Sequence, residues 1–94
     1  MQTQTSIQTP NATKLIKRLS KHWAHKLTIR EEADITIIEF ERATCQLSGD
    51  EQQLHAVVSA ENTDDLNHFA DVVARHLHRM NAAIGDELNI EWQV

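Results

Sequence analysis

The 94-residue chain has one cysteine, one proline and two glycines, and each scarcity removes a class of protein. A single thiol, Cys45, rules out a disulfide framework within the chain and suits a reducing compartment. Gly49 and Gly85 are too few for a Gly-rich phosphate loop, and they offer little of the tight backbone from which an oxyanion hole is built. No apolar run approaches the ~20 residues of a membrane span. The segment Met1-Gln2-Thr3-Gln4-Thr5 has neither the basic start nor the apolar stretch of a signal peptide, so a soluble, cytoplasmic domain is expected. Acids are missing altogether from residues 1–30.

That last absence exposes an asymmetry behind the net charge of −5. Residues 1–30 carry Lys14, Lys17, Arg18, Lys21, Lys26 and Arg30, whereas residues 31–94 set three arginines against all 14 acids. An acidic chain is a poor nucleic-acid binder, because phosphate neutralisation dominates that affinity. A basic patch facing an acidic partner, or a second copy of the chain, is the expectation instead. With 40% hydrophobic and 24% charged residues, 1–94 reads as one globular domain.

The pattern along the chain predicts eight elements. Residues 5–8 form a short strand around Ile7. Thr9 and Pro10 open a helix over 10–25, with Leu15, Ile16, Leu19 and Trp23 at helical spacing. Strands follow at 27–30, 34–41 and 43–47, turned by Glu31-Glu32-Ala33 and then by Ser48-Gly49-Asp50-Glu51, where Gly49 supplies a positive φ if one is required. Leu54, Ala56 and Val58 alternate with His55, Val57 and Ser59 as a half-buried strand. Asn62 caps a second helix whose apolar stripe is Leu66, Phe69, Ala70, Val73, Leu77 and Met80. Leu88, Ile90, Trp92 and Val94 alternate as a last strand. The order β-α-β-β-β-β-α-β makes an α+β two-layer sandwich, an antiparallel sheet with both helices on one face. The expected core is Leu15, Leu19, Trp23, Leu54, Val58, Phe69, Val73, Leu77, Ile90 and Trp92.

Six histidines supply most of the chemistry. His22 and His25 lie three apart at the end of the first helix, near enough in azimuth to share an ion, and His76 flanks the apolar face of the second. If both helices start from the same end of the sheet, the three converge as a ligand or metal site, open to a divalent cation or a haem iron. The plainer reading makes His22 and His76 boundary residues and His25 a cation at a helix C-terminus. Cys45, on an apolar face by parity, reads as a buried structural thiol, with a metal or nucleophile role as the alternative. Lys14, Lys17, Arg18 and Lys21 share one face of the first helix, either solvated or able to take an anion or an acidic partner.

Lys21-His22-Trp23-Ala24-His25-Lys26, with Ala43-Thr44-Cys45-Gln46-Leu47, Val72-Val73-Ala74-Arg75-His76-Leu77-His78-Arg79 and Leu88-Asn89-Ile90-Glu91-Trp92, resembles the bacterial DUF2218 family from about Thr9 to Trp92. The resemblance implies a small bacterial domain of undefined function, with links to siderophore and iron-uptake systems. It places the family's recurring polar positions at His22, His25, Cys45 and His76. The chain departs from the family's pattern at Ala43, where glycine is usual, and at Met80, where phenylalanine is frequent. A non-enzymatic accessory domain binding a ligand, metal or partner is the leading expectation. A protein-interaction module using the basic helix face comes second, and a metal- or thiol-dependent enzyme third.

Overall fold

Leu54, Ala56 and Val58 alternate along the chain, and all three are buried on one face of a strand. In the computed structural model, which describes residues 1–84 and 87–93, the elements are β1 (Gln2–Gln8), α1 (Ala12–Trp23), β2 (Thr28–Glu32), β3 (Ile35–Glu39), β4 (Ala43–Gly49), β5 (Gln53–Ala60) and α2 (Thr63–Ala82). The strands lie in the order β1-β5-β4-β3-β2, every neighbouring pair antiparallel. Thr3, Val58, Cys45, Ile38 and Ile29 are register partners across all five strands. The next inward row is Thr5, Ala56, Leu47, Thr36 and Glu31. Side chains two apart on a strand share a face, so these rows form one surface, and both helices pack on it. Leu15, Leu19 and Trp23 of α1 and Leu66, Ala70, Val73 and Leu77 of α2 are buried there. This is the expected α+β sandwich.

Several boundaries move for physical reasons. β1 is longer than expected because Thr3 and Thr5, polar by composition, are buried on the inner face beside Ile7. The Thr3 hydroxyl donates to the Gln93 carbonyl at 3.1 Å, which satisfies it there. α1 begins at Ala12 rather than at Pro10, since Thr9 Oγ1 accepts the Asn11 N–H (3.1 Å) and holds the chain in a turn ahead of the helix. It ends at Trp23, where the N–H groups of Lys26 and Leu27 both reach the Trp23 carbonyl and close the last turn. α2 keeps its expected cap, with Asn62 Oδ1 accepting the Asp65 N–H at 2.8 Å.

The β2–β3 turn is Ala33-Asp34 rather than Glu31-Glu32-Ala33, because β2 runs on to Glu32, and it holds Ala33 at φ 54°. Gly49 is not a turn residue but the last residue of β4, and its lack of a side chain serves a close approach. A Cβ there would stand 2.5 Å from Ala12 Cβ. The turn after it is made by Asp50, whose Oδ1 accepts the N–H groups of Gln52 (2.8 Å) and Gln53 (3.0 Å). These two donors hold the Asp50 carboxyl below its ordinary pKa.

Two expectations fail. The terminal strand shrinks to one antiparallel bridge, in which Gln4 and Gln93 exchange backbone hydrogen bonds of 2.8 and 2.7 Å. Ile90 and Trp92, like Phe69, are half-buried rather than core, and Val94 lies outside the described residues. The helices also start from opposite ends of the sheet. α1 follows the end of β1 beside Gln53, whereas α2 follows the end of β5, which pairs with the start of β4.

Candidate functional site

Lys14, Lys17, Arg18 and Lys21 fall at spacings of three and four, so a helix places them along one stripe. Leu15 and Leu19 lie on the opposite side and fix the stripe's direction by burying themselves in the core. The inner rows of the sheet end on β2 at Ile29 and Glu31, beyond the part that the helices cover fully; Ile29 is half-buried and Glu31 exposed. Between the basic stripe and this uncovered margin runs an open groove of about 650 Å³. Ile16, Ala24 and Ile29 give it an apolar floor, the four cations form one bank, and Glu31 and Asp34 form the other. Among the described residues none of these six charges is in an ion pair, whereas Arg30 bonds to Glu32 (3.5 Å) and Glu39 (3.3 Å). All four expected basic residues therefore line one concave site. The acidic bank and Ile29 were not expected there, because their place depends on β2 being a sheet edge.

The histidines divide. His22 and His76 meet with ring centroids 5.2 Å apart. His25 is exposed in the turn that follows α1, so the helical three-residue spacing that would have aligned it with His22 does not exist. Opposite helix starts do not keep His22 from His76, because α2 has 20 residues and α1 only 12. The end of α1 thus rests against the middle of α2 rather than its beginning. Trp23 seats this contact, 4.8 Å from the His76 ring and 5.1 Å, edge-on, from Phe40, which in turn lies 5.0 Å from Phe69. His76 Nδ1 bonds to the Val72 carbonyl at 2.7 Å. Among the described residues no three His, Cys, Asp or Glu side chains converge to hold a metal ion, so the expected trio is a pair.

Cys45 lies inside the core with no exposed surface, between Ile38 and Val58 in the register. Burial pushes its thiol up to about 12, which keeps it protonated and a poor nucleophile or ligand at neutral pH. Native protein at pH 8 is expected to leave a disulfide reagent such as dithionitrobenzoate unreacted, with one thiol released in guanidinium. Reaction of the native protein at the rate of the unfolded chain would show the site to be accessible. Among the described residues no helix is long and apolar enough to cross a membrane.

Comparisons with known proteins agree with this architecture. PA4090 from Pseudomonas aeruginosa, solved by NMR, is 33% identical with a TM-score of 0.78, over 99% of this chain and 96% of that one. No curated protein matches the chain. Residues 4–93 match the family described as an uncharacterized protein conserved in bacteria, so the chain belongs to the DUF2218 family.

Proposed function

We propose that the domain is a non-enzymatic binding module whose site is the groove between α1 and β2, and that its ligand is a small amphipathic anion. The supporting observation is the bank of Lys14, Lys17, Arg18 and Lys21 above an apolar floor of Ile16, Ala24 and Ile29. Small-molecule sites are concave, mostly apolar and roughly 300–1,000 Å³, with a few polar groups to orient the ligand. The groove fits that description in volume and in its mostly apolar surface. A carboxylate or sulfonate would take the ammonium and guanidinium donors in charge-assisted hydrogen bonds, while an aromatic or aliphatic body covers Ile29. Glu31 and Asp34 would repel a second anionic end, which favours ligands charged at one side only. The iron and siderophore association implied by the family resemblance enters here as one choice of ligand, a ferric chelate whose anionic groups and organic rim divide in the same way.

Anilinonaphthalene sulfonate, an apolar body with one sulfonate, is a direct probe. Its fluorescence is expected to rise saturably with the wild-type protein and to weaken with salt. Lys17→Glu/Lys21→Glu is expected to bind about tenfold more weakly or worse, since hydrogen bonds to charged groups contribute about 1.5–3 kcal/mol each. Both positions are exposed, so the melting temperature should hold. Equal affinity in the two proteins would remove the groove as the site. A variant that binds the probe normally yet no longer captures an acidic protein surface would favour the interaction-module reading.

A further inference from the structure

We infer that His22 and His76 form a two-imidazole docking point for a transition-metal ion that arrives already carrying other ligands. The pairing is built by packing. Trp23 is wedged between Phe40 and His76, which pins the last turn of α1 to the middle of α2 and carries the neighbouring His22 alongside. Two neighbouring imidazoles on one ion stand with ring centres about 4.5 Å apart in tetragonal geometry and about 5 Å apart in tetrahedral geometry, when each metal–nitrogen bond is about 2.0–2.1 Å. The His22 and His76 centroids are separated by 5.2 Å.

The protonation pattern supports the same reading. A carbonyl oxygen only accepts, so in the 2.7 Å contact His76 Nδ1 donates to Val72, and in the neutral ring Nε2 is then the atom open to a metal. Metal-bound histidines are oriented in this way, by a hydrogen bond from the other ring nitrogen to a carbonyl or carboxylate. His22 makes no side-chain hydrogen bond among the described residues and is exposed, so an ion can reach it.

The two imidazoles supply part of a coordination sphere, and the proposed occupant brings the rest. Two protein bonds leave a first-row ion with at least two positions to fill. A bare ion would fill them with water, at a loss of affinity relative to a complete protein site. A small chelator holds those positions with its own donors, and the two imidazoles then displace the waters that the chelator leaves.

Copper(II) iminodiacetate is such a complex, and Trp23, 6.1 Å and 4.8 Å from the two rings, is a built-in reporter. Titration is expected to quench tryptophan fluorescence saturably with one complex per chain, and electron paramagnetic resonance to show two imidazole nitrogens on the copper. His22→Ala should weaken binding at least tenfold and leave one nitrogen, whereas His25→Ala should change neither readout. His22 is exposed, so its variant is expected to melt as the wild type does. Unchanged affinity in His22→Ala, a single nitrogen in the wild type, or no saturable quenching would each overturn the proposal.

Discussion

Leu19→Asp and Val73→Asp are each expected to leave the chain unfolded at 25 °C, seen as loss of the cooperative circular-dichroism melt. Leu19 sits on the buried side of α1 and Val73 on that of α2, and neither has any exposed surface. Each substitution forfeits about 1.5–3 kcal/mol of apolar burial. It also places a carboxylate in the apolar core, which costs several kcal/mol more or forces protonation. A domain of this length has about 5–14 kcal/mol of stability in total. Lys17→Asp, on the opposite side of the same helix, should shift stability by about 0.5 kcal/mol or less. A wild-type melt in either core variant would overturn the helix faces on which the groove depends.

Gly49→Val is expected to cost about 3 kcal/mol or more and to deform the groove, because Gly49 lies on its wall. A Cβ there would approach Ala12 Cβ to 2.5 Å and the Gln53 carbonyl oxygen to 3.0 Å. Neither neighbour is the loose end of a long side chain, so relief requires the first turn of α1 to lift from β4. A pair of smaller changes isolates the contact. Ala12→Gly alone should destabilise, losing a buried methyl and helix propensity together. In a Gly49→Ala background the same change should stabilise, since it removes the atom in collision. If the sign does not reverse, the close approach of α1 to β4 is not what Gly49 serves.

How much of this could be read from the chain depends on the range of the interaction concerned. The Asn62 cap, the alternation of β5 and the basic stripe of α1 are set within a turn or a few strand residues, and all appear as expected. The acidic bank could not be read, because Glu31 and Asp34 resemble turn residues until the strand order makes β2 an edge. Thr3 and Thr5 misled in one direction, as hydroxyls that take buried sites. Ile90 and Trp92 misled in the other, alternating like a strand while β1 accepts only the bridge at Gln4. His76 was legible as a boundary residue. That it should meet His22 without His25 follows from where α1 stops, at the Trp23 carbonyl that accepts the N–H groups of Lys26 and Leu27.

The bridge between Gln4 and Gln93 has a consequence for how the sheet could grow. A sheet with two bare margins can recruit copies on both sides and polymerise without limit. Here Gln93 occupies the β1 margin at its centre, while the Arg30, Glu31 and Glu32 side chains of β2 stand exposed at the other. Strand addition at β1 would have to displace the Gln93 bridge, whereas β2 has no such occupant among the described residues. A pair formed through β2 would therefore turn outward only β1 margins whose Gln4 backbone groups are already bonded to Gln93.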